Sequence, residues 1–115
     1  MTNVYLTQTG SFTARHSHQG TLAEELHVHT FQYEVTFYGP LNEEGYLIDF
    51  RHAADVLHTE IDGVLHDKDL GTFLLSPTTE AVCIWIFNTI KNKIPLLYSV
   101  KVAEEPDRWI TYTGE

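Results

Sequence analysis

The sequence contains one cysteine, Cys83, so no disulfide can form within the chain, and a reducing compartment, the cytoplasm, is the expected location. Basic residues are also scarce, with seven Lys and Arg against 16 Asp and Glu and a formal net charge of -9. A surface of that sign argues against nucleic acid and anionic membranes as generic partners, and a phosphorylated ligand would need a local cationic spot such as a bound metal. No apolar run approaches the roughly 18 residues needed to span a bilayer, and no charged-then-apolar leader opens the chain. Repeats, low-complexity tracts and linker-like stretches are missing too, so residues 1–115 read as one domain. What is present is an apolar content of 43%, enough for a sizeable core.

The stretch Leu26 to Phe37 reads as one long β-strand. Alternation puts His27, His29, Phe31, Tyr33, Val35 and Phe37 on one face and Thr30, Gln32, Glu34 and Thr36 on the other, so the apolar face carries the histidines. Two imidazoles on a buried face cost desolvation unless their nitrogens are used, and a divalent metal uses both. An earlier strand, from Val4, places Val4, Leu6, Phe12, Ala14 and His16 on one face, with Gln8 and Gly10 interrupting. If the two strands pair antiparallel, His16 meets His27 and His29, and three neutral imidazoles without a fourth protein ligand describe an open, catalytic type of zinc site. His18 shares the face of His16 and is the rival ligand.

Gly39 to Gly45 is rich in turn formers, and Tyr46 to Ile48 extends briefly after it. Asp49 is placed to cap a helix whose apolar positions are Phe50, Ala53, Ala54, Leu57, Ile61 and Leu65, weakening near Gly63. His52 and His58 on that helix are expected to be solvated. His66 to Gly71 reads as too polar for the core. Ser76, followed by Pro77 at the first helical position, is placed to cap a second helix running to about Lys93, with Val82, Trp85, Ile86, Ile90 and Ile94 as its apolar stripe. A third strand puts Tyr98, Val100, Val102 and Glu104 on one face, and Trp109 to Thr113 form a fourth after the Pro106-Asp107 turn. The order ββααββ predicts an α+β domain, a four-stranded antiparallel sheet with two helices on one face.

Phe12-Thr13-Ala14-Arg15-His16, His27-Val28-His29, Ser76-Pro77-Thr78-Thr79-Glu80, Val100-Lys101-Val102-Ala103-Glu104 and the closing Tyr112-Thr113-Gly114-Glu115 resemble, in order and spacing, the 6-pyruvoyl-tetrahydropterin synthase and 6-carboxy-tetrahydropterin synthase family. The resemblance spans almost the whole chain. It implies a tunnelling fold, in which subunits join their sheets into rings, so a homo-oligomer, trimer or hexamer, is expected. It further implies zinc on His16, His27 and His29, a pterin substrate such as dihydroneopterin triphosphate, Glu104 as the acceptor that anchors the pterin ring, and Thr78 and Thr79 lining the ring pocket. Zinc would polarise the substrate's side-chain oxygens while a base removes the adjacent proton.

The chain departs from the family pattern in three places. The family's catalytic cysteine lies four to six residues before the first histidine of the His-x-His pair, where this chain has Ala23, Leu22 and Thr21. Glu24 stands three residues before His27, and one branch of the family, which cleaves the side chain to give 6-hydroxymethyl-dihydropterin, has glutamate at that spacing. The catalytic Asp-His pair of the family is reversed here in Leu65-His66-Asp67-Lys68, and Val28 replaces a glycine between the histidines. Glu24, His66 and Asp67 are therefore the candidate proton-transfer residues of a lyase. The alternative from another class is an inactive homologue that keeps the metal and the anchor and binds a pterin or purine-like ring.

Overall fold

Alternation of apolar and polar residues builds the sheet almost as the sequence implies. The computed structural model describes residues 2–16 and 27–115. Strand β1, Asn3–His16, pairs antiparallel with β2, His27–Pro40, in an unbroken register from Asn3 opposite Pro40 to His16 opposite His27. β3, Leu97–Glu105, pairs with β2, and β4, Arg108–Tyr112, with β3, so the four strands lie in chain order. Phe12, Ala14, Phe31, Val35, Phe37, Val100 and Val102 form the sheet's contribution to the core.

Two helical segments cover that face. The first opens at Phe50–Leu57, capped by the Asp49 carboxylate, which accepts the Arg51 N–H at 2.8 Å. It passes through a π-turn, His58–Asp62, before a last turn at Gly63–Leu65. The expected weakening thus comes one turn before Gly63. Ala53, Leu57, Ile61 and Leu65 are buried, while His52 and His58 are exposed as predicted. The second helix, Thr79–Lys93, buries Val82, Cys83, Ile86, Phe87 and Ile90.

Four local expectations are corrected. Thr78, not Ser76, caps the second helix, accepting the Ala81 N–H at 3.1 Å. Pro77 stays outside the helix because its carbonyl is used elsewhere, as described below. Tyr98 does not share the core face: a β-bulge sets Phe37 opposite Leu97 and Thr36 opposite Ser99, which turns Tyr98 outward against Tyr5 and Tyr38. Leu70, in the stretch read as too polar for the core, is fully buried. Residues 46–48 are a bend and not an extended segment, with the Tyr46 N–H donating to the Asn42 side chain.

Gly10 explains its interruption of the β1 pattern. It lies opposite Tyr33, and a Cβ there would fall 2.3 Å from the Tyr33 ring and hydroxyl. The missing side chain lets that ring cross β1, and its hydroxyl donates to Asp62 at 2.9 Å within the π-turn.

Candidate functional site

β1 ends on the core face, so His16 is fully buried at the sheet's end. Ala14 pairs with His29, which places His29 on the same face one step along, and the two imidazole rings meet edge to face at 5.1 Å. The last core-facing position of β3 is Glu104. Its Oε1 lies 2.6 Å from His16 Nε2 and 3.0 Å from His29 Nε2, so one carboxylate oxygen faces both imidazoles. Its Oε2 accepts from the Thr79 hydroxyl at 3.4 Å.

The far side of His16 is fixed as well. Its Nδ1 is 2.7 Å from the Pro77 carbonyl. A carbonyl only accepts, so Nδ1 carries a hydrogen and Nε2 is the nitrogen turned to the cluster. That is the arrangement by which a backbone carbonyl orients a metal-binding histidine. It also ties the end of β1 to the segment that starts the second helix. The sequence carries no sign of this bond, because a main-chain carbonyl has no residue-type signature; the only trace is a proline that stays out of the helix.

Ligand atoms of His16, His29 and Glu104 all lie within 4.8 Å of one another. Two imidazole nitrogens and a carboxylate oxygen are a donor set that suits a borderline divalent cation, zinc among them, so these residues fit a metal. His27 is described through its backbone, which pairs with His16; its side chain, Glu24 and His18 lie outside the described residues. Thr78 and Thr79 stand at the start of the second helix, Thr79 touching Glu104. An open hollow of about 290 Å³ continues from there, lined by Thr79, Glu80, Glu104, Glu105, Arg108 and Ile110. The sequence reading left out Glu80, although it closes the quoted Ser-Pro-Thr-Thr-Glu motif, and Arg108.

His66 and Asp67 lie elsewhere. They run along the free edge of β1, where the Thr13 N–H donates to His66 Nδ1 at 3.1 Å, the Asp67 N–H donates to the Thr13 carbonyl at 2.7 Å and the Arg15 N–H donates to the Lys68 carbonyl at 2.9 Å. Both side chains are exposed, and Asp67 borders a hollow with Thr13, Ala14, Arg15 and Val28. Within one chain, the pair and the histidine cluster are not brought together. Asp67 also holds a φ of 60°, a left-handed conformation that a residue with a Cβ adopts at a cost. Cys83 is buried in the second helix with its thiol directed at the Val100 carbonyl, and burial pushes that thiol up to about 11. It is a packing residue and does not replace the cysteine missing before His27.

A family model described as 6-pyruvoyl tetrahydropterin synthase matches residues 5–115. A dihydroneopterin monophosphate aldolase of Pyrococcus furiosus is 36% identical over 88 residues, covering 74% of this chain and 73% of the relative. A putative 6-carboxy-5,6,7,8-tetrahydropterin synthase of Archaeoglobus fulgidus is 31% identical over 100 residues, 86% of each chain. Among solved structures, Caenorhabditis elegans 6-pyruvoyl tetrahydropterin synthase superposes with a TM-score of 0.87 at 21% identity, over 100% of this chain and 98% of that one. A Plasmodium vivax 6-pyruvoyltetrahydropterin synthase in which a catalytic glutamate is replaced by alanine superposes at 0.79 with 16% identity, over 97% and 98% of the two chains.

Proposed function

The chain belongs to the 6-pyruvoyl tetrahydropterin synthase family, a family of pterin metabolism with the tunnelling fold, and from that premise we propose that it is a zinc-dependent lyase acting on the side chain of a phosphorylated dihydroneopterin. The observation that carries the reading is the convergence of His16, His29 and Glu104 beside the start of the second helix. His16 and His29, with His27, would hold the metal. When bound, the metal supplies Lewis-acid polarisation of the substrate's side-chain oxygens and offsets charge as it develops there.

The protein's own residues then have separable tasks. The Pro77 carbonyl keeps His16 in one tautomer and orientation. The Glu104 carboxylate accepts hydrogen bonds from the amino group and neighbouring ring nitrogen of the pterin, with Thr78 and Thr79 beside it. A charge-assisted pair of this kind contributes more than neutral contacts and selects for that donor pattern. Glu24 takes and returns the side-chain proton. Two findings favour glutamate in that role: a catalytic glutamate in the Plasmodium vivax enzyme, and an aldolase among this chain's relatives. Carbon-carbon cleavage to a 6-hydroxymethyl pterin and a two-carbon aldehyde is then the favoured outcome. The protein would work as a trimer or hexamer in the cytoplasm.

Incubating the purified, zinc-loaded protein with dihydroneopterin monophosphate and triphosphate tests this, with Glu24→Ala in parallel. Formation of 6-hydroxymethyl-dihydropterin that disappears in the variant is expected; full recovery of both substrates removes the enzyme reading. One observation favours the second reading, a catalytically silent ring binder. His66 Nδ1 is occupied by the Thr13 N–H, so that nitrogen is not available as a base. That reading predicts tight ring binding without product.

A further inference from the structure

All four strands end their core face in an ionisable residue at the same end of the sheet. β1 ends at His16, β2 carries His29, β3 carries Glu104, and β4 opens at Arg108, in line by alternation with Ile110 and Tyr112, which pack against the core. Neighbouring strands lie about 4.8 Å apart, so Arg108 starts one strand beyond Glu104, on the side away from the imidazoles. The register of β3 and β4 shifts by one residue between Val102 and Glu105, which sets Glu105 opposite Arg108, and the three side chains line one hollow of about 290 Å³. Arg108 is the one cation among the residues lining it. The turn that carries Arg108 is held by the Trp109 indole N–H, which donates to the Pro106 carbonyl at 3.2 Å. Its ion pair, Nε to the Asp107 carboxylate at 3.5 Å, joins two exposed side chains and does not engage the Nη groups. A solvated pair of that kind contributes little and yields to a better acceptor.

We propose that Arg108 reads N1 of the pterin ring, its guanidinium donating to that nitrogen while Glu104 accepts from the neighbouring 2-amino group and N3–H. This rests on the reading of Glu104 as the ring's acceptor given under Proposed function, and adds a second contact along the same edge. The ring's own order of groups makes the assignment. Its pyrimidine edge presents N3–H, the 2-amino group and then N1, two donors followed by a lone pair. The 6-side chain leaves on the side of N3 and the 4-oxo group, toward the metal that the imidazoles would hold, so N1 faces the other way, toward β4. A lone pair there needs a donor. Glu80 and Glu105, as carboxylates, have no hydrogen to give, and the Thr79 hydroxyl is directed at Glu104 Oε2, which leaves the Arg108 fork. The functional consequence is selectivity: a ring that keeps both donors and lacks the N1 lone pair is bound poorly.

The probes are unsubstituted pterin and its 1-deaza analogue, in which N1 is a C–H, titrated by calorimetry into the zinc-loaded full chain and into Arg108→Leu. A hydrogen bond from a charged donor predicts that the native chain binds pterin at least about tenfold more tightly than the analogue. Arg108→Leu is expected to lose that preference and to bind both probes as the native chain binds the analogue. Because Arg108 is 78% exposed, the variant is expected to fold, with an unchanged melting temperature. A variant that weakens both probes equally makes Arg108 a general source of charge or packing and overturns the proposal; so does a preference for pterin that survives the substitution. Arg108→Lys sharpens the reading, since it keeps the charge and removes the planar fork: partial recovery of the preference is expected. Glu104→Gln, run alongside, separates the two readings. Unchanged pterin affinity in Arg108→Leu with a large loss in Glu104→Gln overturns only the role of Arg108, whereas no pterin binding by the native chain, or none lost in Glu104→Gln, removes the anchor and the Arg108 contact with it.

Discussion

Two carboxylates lie against the same sheet with nearly equal exposure, Glu104 at 23% and Asp62 at 24% of their side chains, and they serve different ends. Asp62 accepts from the Tyr33 hydroxyl and from exposed His58, four residues earlier in the π-turn. Its main partner is a phenol that burial, with Asp62 adding, pushes well above its ordinary value. Glu104 instead faces two imidazole nitrogens in a cluster whose donor atoms fit a metal, and a hollow opens beside it. Half-burial of an acid therefore does not mark a site. What marks it is the convergence of further donor atoms beside an open hollow.

Substitutions at the two positions should split cleanly. Glu104→Gln is expected to weaken pterin binding by about a hundredfold, since a charged acceptor is lost from a two-donor contact, while the melting temperature moves little. Asp62→Asn should do the reverse. A stability loss in Glu104→Gln as large as that in Asp62→Asn would break the distinction. Gly10→Ala attacks the Asp62 region from the other strand. Its Cβ would fall 2.3 Å from the Tyr33 ring, which is buried and cannot swing aside, so a loss of about 2–3 kcal/mol is expected by denaturant unfolding, with ring binding retained per folded molecule.

Alkaline pH offers a milder probe of the packed side. Cys83 is raised to about 11 in the folded chain, above its value when unfolded, so the unfolded chain releases that proton first. Its contribution is fully present below the unfolded value and is lost as pH rises through about 11, and Tyr33 acts in the same direction. Stability measured from pH 8 to pH 11 should fall by about 2 kcal/mol more than in Cys83→Ala over the same span. The smallest effect is expected at Asp67→Gly, where removing the Cβ relieves the left-handed backbone and stabilises by about 0.5–1 kcal/mol. The same variant asks whether the exposed His66-Asp67 pair takes part in turnover: unchanged product formation would confine it to closing the edge of β1.

Much of the site was readable in the chain itself, for a definable reason. A strand's side chains alternate with a period of two, so the positions of His16 and His29 on core faces follow from their neighbours alone. Pairing β1 with β2 then required only that the intervening segment turn back. The second helix's cap was missed by two residues because Ser76, Pro77 and Thr78 all offer plausible starts, and the choice was made by Pro77's carbonyl engaging His16, 61 positions earlier. Tyr98 was misassigned because a single bulge reverses the alternation, and that bulge is visible only in how β3 meets β2. Leu70 was missed because its polar neighbours conceal one inward-facing residue.

Local periodicity therefore determined the order of elements, the core faces and which histidines end on them. Tertiary structure decided the rest: Glu104, 88 positions from His16, meets it only because β3 packs on β2 in this register and the second helix closes over the end of the sheet. The physical reason is range. Alternation and capping act over a few residues, whereas a contact between a carboxylate and two imidazoles is set by the packing of whole elements, which neither strand's sequence encodes alone.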